Sequence, residues 1–305
     1  MFKAANPTIS SKQSAWTTRD WLIAAAMLLA AVGATFDAWR DIFRLGYKDE
    51  ELSYVMLAPI VIFSLAWSRR QSLKNGIVTG TWLGVAFLAL SGTVLWYGYY
   101  YDPVVWRAGA VLIAAATLIA ALGTDFARRL APALLAMIFL IPIDPDGRYH
   151  IAGPLEIFTS RAAQVCCDIL GMYVQRDGNL LIINGAAVTV AEACNGARMV
   201  LSLFMVCYFV AFSPPPRPWW IRLIVLAFSP VVAIVANVLR LIPTIWAFAH
   251  LSAPVAERFH TVGGYAMLAA AFIVLMALMR FLDRLTSQSS ETPPIEMERL
   301  APSVL

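Results

Sequence analysis

Charge is scarce in this chain. Only 14% of its 305 residues are Asp, Glu, Lys or Arg, against roughly a quarter in an ordinary soluble domain. Cysteine is scarce too. Four cysteines are too few for a disulfide framework at this length, so each is read on its own. The excess of positive charge is small. A formal net charge of +4 gives no reason to expect nucleic acid as a partner, and the basic residues read better as topology signals. No internal repeat and no collagen-like segment occurs. What fills the chain is apolar: 60% of its residues are hydrophobic and the mean hydropathy is +0.70. Runs of about 20 apolar residues recur, long enough to cross a bilayer as helices. A cytosolic enzyme, a secreted disulfide scaffold and a disordered chain are excluded. An all-α polytopic membrane protein remains.

Residues 1–20 are a polar segment carrying Lys3, Lys12 and Arg19. The first apolar run spans Trp21 to Trp39. Val32-Gly33-Ala34 resembles a signal-peptide cleavage site, but the run is long for that and other spans follow, so a retained first helix is expected. Further runs lie near 52–67, 78–98, 104–122 and 130–143, then near 196–213, 219–239 and 262–281. The expectation is about eight transmembrane helices. They form two groups, 21–143 and 194–282. Between these lies an external segment, 144–193, and after them a polar tail, 283–305. With the N-terminus in the cytoplasm, the inner segments hold 13 of the 23 basic residues, including Arg69, Arg70, Arg128, Arg129, Arg217 and Arg222. Each short inner loop then carries a basic pair or cluster, as the positive-inside rule requires. Both termini are therefore expected in the cytoplasm.

Within the external segment, Leu155 to Val174 mixes apolar residues with Glu156, Arg161, Gln164 and Asp168. It reads as an amphipathic helix along the membrane surface. Asn184-Gly185 stands between two β-prone runs, 179–183 and 186–190, a strong hairpin signal. The hairpin leads directly into Glu192-Ala193-Cys194-Asn195-Gly196.

Ionisable residues near a bilayer are costly, which makes each a functional candidate. Cys194 precedes a helix that runs to Arg217, roughly 34 Å away at 1.5 Å per residue. Arg240 lies roughly 27 Å from Arg222, and His260 roughly 30 Å from Arg280, by the same rise. The hydrocarbon core is about 30 Å thick. A thiol, a guanidinium and an imidazole are thus expected at one depth, near the outer boundary. A thiolate is favoured by a helix N-terminus and a nearby cation. His260 could take the thiol proton and later protonate a leaving amine. Arg240 could stabilise the oxyanion formed when the thiolate attacks a carbonyl.

Each residue also has a structural reading. Cysteine is among the most buried residue types, and Cys194 taken alone reads as packing. Cys166, Cys167 and Cys207 are read as packing outright, since a vicinal pair is a strained disulfide. His260 could be an interface residue, and Arg240 an anchor that snorkels to the headgroups. Arg198, four residues after Cys194, shares its helix face and could pair with Glu192. Asn237, three residues before Arg240, could orient it or cap a kink near Pro230. His150 and His250 are read as surface residues.

Three blocks resemble the exosortase/archaeosortase family of integral membrane cysteine enzymes. They are Val190-Ala191-Glu192-Ala193-Cys194-Asn195-Gly196 with Arg198, then Asn237-Val238-Leu239-Arg240, then Phe259-His260 with Gly263 and Gly264. Ile141-Pro142-Ile143, Gly178-Asn179, and Pro59 with Trp67 and Arg69-Arg70 are similar to the family pattern as well. The resemblance covers most of residues 50–282. Two departures stand out: Asn195 replaces the family's usual Ser, and Ser53-Tyr54-Val55-Met56 lacks the family's His-Gly pair. The resemblance implies Cys194 as nucleophile, Arg240 as transition-state stabiliser and His260 as general acid/base, with no metal or organic cofactor. Glu192, Asn195, Arg198 and Asn237 would support the site, and the helices of 194–282 would be the catalytic ones. It also implies a membrane-anchored substrate protein with a C-terminal sorting signal: a Pro-Glu-Pro-like motif, a transmembrane helix and a basic cluster. The setting would be a bacterial inner membrane, with the site near the periplasmic face and a link to exopolysaccharide. A transporter and a non-catalytic exopolysaccharide assembly component are the competing classes. The absence of a clear inverted repeat counts against the transporter.

Overall fold

The computed structural model describes residues 16–74, 77–178, 180–183, 186–189 and 196–290. Helix α1 (Thr18–Ala34) opens with a capping box. The Asp20 N–H donates to the Thr17 hydroxyl at 3.4 Å, and the Thr17 N–H donates to the Asp20 carboxylate at 2.7 Å. Two orphan donors of the first turn are thereby satisfied. The apolar run from Trp21 to Trp39 does not continue as one helix. It breaks at Thr35, and α2 (Phe36–Lys48) leaves at 76°. The reason lies in the residues. Ala38, Ile42 and Gly46 repeat every four positions and are buried, while Asp37, Arg40 and Arg44 are exposed. That pattern makes a one-faced helix, which lays its buried side against the protein.

A 3₁₀ turn (Glu50–Met56) leads into α3 (Ala58–Ser68), which starts with Pro59 in its first turn, where no N–H is needed. A short α4 (Arg70–Leu73) follows. Helices α5 (Thr81–Tyr101) and α6 (Pro103–Leu122) form an antiparallel pair joined by Asp102 alone. The Asp102 carboxylate accepts from the N–H groups of Val104 at 2.7 Å and Val105 at 3.1 Å, capping α6. The two backbones nearly touch. A Cβ on Gly98 would stand 2.0 Å from the Trp106 nitrogen, and one on Gly84 2.3 Å from the Ala120 nitrogen. Small residues of this kind let membrane helices pack closely.

The 130–143 run folds as α8 (Ala131–Ala136) and a 3₁₀ turn (Met137–Leu140), after the short α7 (Thr124–Arg129). Then comes α9 (Pro145–Ile169), ten residues earlier in its start than the sequence pattern placed it. Its first turn is set by Asp144, whose carboxylate accepts from the Gly147 N–H at 2.9 Å. Strands β1 (Gln175–Asp177), β2 (Leu180–Ile183) and β3 (Ala186–Thr189) form an antiparallel sheet in that order. The strand β1, with its charged Gln-Arg-Asp, carries no apolar signal and is an addition to the expected hairpin. The chain ends with α10 (Gly196–Phe212), α11 (Trp219–His250) and α12 (Ala253–Ser290).

Five helical stretches are long and apolar enough to cross a membrane, and six if the bent α1–α2 pair counts as one, among the described residues. This is fewer than the expected eight. The difference lies in three runs. That at 21–39 is bent, and those at 130–143 and 196–213 form short apolar helices, Ala131–Leu140 and Met199–Phe212. Ten residues of helix reach only about 15 Å, half the hydrocarbon thickness.

Side-chain pairs sort the connecting segments into two ends. At one end, Trp16 Nε1 donates to Leu122 O at 3.1 Å, and Arg129 Nη1 to Ser72 O. At that end too, Arg69 Nη1 donates to Phe212 O at 2.9 Å, and Arg217 bridges Asp283 at 3.0 Å. These are the segments whose basic residues marked them as one side. At the other end, Arg107 pairs with Asp41 at 2.8 Å and Arg148 with Asp49 at 2.7 Å. The architecture is thus an all-α polytopic membrane bundle with a small sheet against one end.

Candidate active site

Three helices carry the candidate residues. Helix α11 is 32 residues long and continues past Arg240 to His250. Arg240 therefore sits inside the helix, not at its end as the hydropathy predicted. The extension is held by packing. Leu241 and Ile245 are fully buried in one cluster with Ala163 and Cys167 of α9, Val174, and Leu181 of β2. The sheet and α9 cover this part of α11, so it stays ordered beyond the bilayer length. Within it, the Thr244 hydroxyl donates to the Arg240 carbonyl at 2.9 Å. Asn237 is one turn earlier and only 3% exposed. Its Oδ1 is buried and accepts no hydrogen bond from the described residues, so it does not hold Arg240 through that atom.

Helix α12 starts at Ala253, so His260 lies in its second turn and not at its beginning. The chain turns from α11 to α12 through Leu251 and Ser252, whose carbonyl accepts from Val255 and Ala256. This short connection makes the two helices antiparallel neighbours. His260 is half-buried, and its Nδ1 is buried. Gly264 lies four residues on, on the same helix face.

The Arg240 side chain crosses from α11 onto this face. Its Nη1 lies 2.8 Å from the point where a Cβ of Gly264 would stand, and its Cγ lies 3.9 Å from the same point at Gly263. The guanidinium therefore rests on α12 one turn from His260. Sequence reasoning placed Arg240 and His260 at one level, and here they share one helix surface. It singled out Gly263 and Gly264 only as part of a motif. The physical signal was available: a glycine pair inside a helix is costly unless space is needed there.

Helix α10 packs against α11. Met199 and Leu203 are buried in one cluster that takes in Ile221, Val225, Ala233 and Ala236 of α11. Glu192, Cys194 and Asn195 lie outside the described residues, and Arg198 is placed only as a position in the first turn of α10. Cys166, Cys167 and Cys207 are free thiols, with Cys167 and Cys207 buried. Burial, with a smaller push from Cys166 and Asp168, raises the Cys167 thiol to about 11. Such a group stays protonated at neutral pH and is a poor nucleophile. His250 is exposed, stacked on Trp246 with ring centres 5.1 Å apart.

No cluster of three or more His, Cys, Asp or Glu side chains able to hold a metal occurs among the described residues. A cavity of about 560 Å³ opens between α2 and the α5–α6 turn, lined by Arg40, Arg44, Tyr99, Asp102 and Arg107 among others. It holds no thiol or imidazole and none of the motif residues, so it is separate from the Arg240–His260 surface.

The family model of the transmembrane exosortases matches residues 39–277. That stretch contains Cys194, Asn237, Arg240, His260 and Gly264, and runs from within α2 into α12. No curated protein and no solved structure matches the chain significantly. With well over half of its 305 residues matched, and with Arg240 and His260 brought onto one face of α12, the chain belongs to the transmembrane exosortase family.

Proposed function

We propose that this protein is a membrane-embedded cysteine protease/transpeptidase that cleaves the C-terminal sorting signal of exported proteins. One observation carries the reading: Arg240 reaches across from α11 to lie on α12 one turn from His260. The family match supports a sorting transpeptidase in general.

In this reading His260 accepts the Cys194 thiol proton, and the thiolate attacks the scissile carbonyl carbon. Negative charge develops on the carbonyl oxygen, where the permanently charged Arg240 neutralises it in a site of low dielectric. The tetrahedral intermediate collapses, the C–N bond breaks, and His260 returns its proton to the departing amine. A thioester on Cys194 remains. An incoming amine or water attacks it, gives its proton to His260 and regenerates the thiol. No cofactor is needed for any step. Glu192, Asn195, Arg198 and Asn237 support the site around these three residues.

The substrate in this reading is anchored by its own transmembrane helix, with a Pro-Glu-Pro-like motif on one side and a basic cluster on the other. The bilayer then sets the depth at which the motif meets Cys194, which reduces the search to two dimensions. The site faces the periplasm, both termini are cytoplasmic, and the released proteins serve exopolysaccharide or surface-protein export.

The test is processing of a co-expressed reporter ending in a Pro-Glu-Pro-like motif, an apolar helix and an Arg cluster. Cys194→Ala and Cys194→Ser are expected to lower cleavage at least about 10³-fold, as loss of a nucleophile does. Wild-type cleavage by both variants would remove Cys194 from the reaction.

A further inference from the structure

We infer that Gly264 is a positioning residue: the space left by its missing side chain is the seat of the Arg240 guanidinium. The inference rests on the reading of Arg240 as the oxyanion stabiliser.

The glycines of this chain separate into kinds by what a Cβ would meet. At Gly84, Gly98 and Gly109 the nearest atoms include the backbone of the neighbouring helix, so those glycines serve helix packing. At Gly92 nothing lies within 4 Å. Gly264 belongs to neither kind. The atoms within 4 Å are Arg240 Nη1 at 2.8 Å and Arg240 Cζ at 3.9 Å, and both belong to the guanidinium. Its neighbour Gly263 meets only Arg240 Cγ, at 3.9 Å, an ordinary contact. Two adjacent glycines in one helix thus face the same arginine with different consequences.

The consequence for Gly264→Ala falls on geometry and not on folding. The atom in the way is the tip of a flexible side chain, so the guanidinium swings aside and the helices need not part. Alanine also favours the helix over glycine. Nη1 would have to move from 2.8 Å to at least about 3.4 Å from the new methyl carbon, a shift of about 0.6 Å. Oxyanion donors act over a window of about 2.7–3.1 Å, and a misplacement of about 1 Å can cost about 10²-fold in rate.

The experiment uses the full-length protein in membranes with the sorting-signal reporter described above, reading kcat and KM of cleavage and the thermal midpoint. Gly264→Ala is expected to lower kcat about tenfold or more, leave KM within about twofold, and leave the midpoint unchanged or higher. Gly263→Ala is expected to stay within about twofold of wild type in all three. In an Arg240→Lys background, which has no guanidinium, adding Gly264→Ala is expected to change kcat by less than about twofold. Wild-type kcat in Gly264→Ala overturns the inference. So does a fallen midpoint, or an equal fold-loss in the Arg240→Lys background, since either assigns Gly264 to packing. Cleavage that persists in Cys194→Ala, or a wild-type protein that leaves the reporter intact, overturns the proposed function instead.

Discussion

Arg148 Nη2 stands 2.7 Å from Asp49 Oδ2, tying the first turn of α9 to the residue that ends α2. The arginine side chain is 12% exposed and also reaches Glu51 at 2.9 Å. Asp49 accepts in addition from the Glu51 N–H at 2.9 Å. Helix α9 is thereby fastened to the N-terminal half of the molecule, which matters because its more extensive contacts are with α10, α11 and the sheet.

Burial works against ionisation of Asp49, but the hydrogen bond and charge of Arg148, with the nearby backbone N–H groups, outweigh it and hold the carboxyl below its ordinary 3.8. A depressed folded value means the stability is fully present above 3.8 and is lost as pH falls through the lower folded value. Asp49→Asn is expected to lower the thermal midpoint at pH 7 by roughly 2–4 °C, the effect of about 1 kcal/mol at this size. It is also expected to lose less stability than wild type on acidification below 3.8. Thermal unfolding in detergent from pH 7 to pH 3 reads both. An unchanged acid slope would show that Asp49 is not the group responsible.

The α5–α6 contact makes a sharper mechanical prediction. A methyl on Gly98 would fall 2.0 Å from the Trp106 backbone nitrogen, where nothing flexible can give way. Gly98→Ala is expected to destabilise by at least about 1–3 kcal/mol, the usual range for overpacking. Gly92→Ala, in the same helix with nothing within 4 Å, is expected to be neutral or slightly stabilising. Folded yield and thermal midpoint of the two variants compare them directly.

Cysteine reactivity separates the proposed nucleophile from the packing thiols. Because the Cys167 thiol is raised to about 11, it is expected to alkylate slowly at pH 7.5 in folded protein. Iodoacetamide labelling followed by mass spectrometry is expected to modify Cys194 first, with the fast phase missing from Cys194→Ser. Fast labelling at Cys167 in the folded state would contradict its burial.

Sidedness is testable with single cysteines on a cysteine-free background. Gln71→Cys, in the basic segment of α4, is expected to react with a membrane-impermeant maleimide only after permeabilisation. Asp177→Cys, exposed on β1, is expected to react in intact spheroplasts. The reverse pattern would invert the molecule in the membrane.

Much of this was legible before any coordinates. Hydropathy located α3, α5, α6, α11 and α12, because a helix in lipid must be apolar over its whole length and few other constraints intervene. Its count of eight exceeds the five long helices among the described residues where an apolar run is interrupted. The run at 21–39 bends at Thr35, where the pattern changes from apolar all round to one-faced, and Pro132 begins a new short helix within 130–143. It also misjudged ends. The residues of α11 after Arg240 are apolar because they pack on Ala163, Cys167 and Leu181, and hydropathy alone does not distinguish lipid from a protein neighbour. Strand β1 carried no apolar signal, since its Gln-Arg-Asp is held by backbone pairing with β2, the next strand in the chain, which hydropathy does not register.

The sequence by itself determined the class, the two groups of helices and the small set of ionisable residues worth attention. Burying charge in lipid is so costly that each such residue stands out against 60% hydrophobic composition. The tertiary structure decided what touches what: that Arg240 lies over Gly264 one turn from His260, that α9 is bolted to Asp49, and that α5 and α6 meet backbone to backbone at Gly98. The division is physical. Solvation energy accumulates along the chain and can be read residue by residue, whereas contact depends on shapes that meet only after the helices have packed.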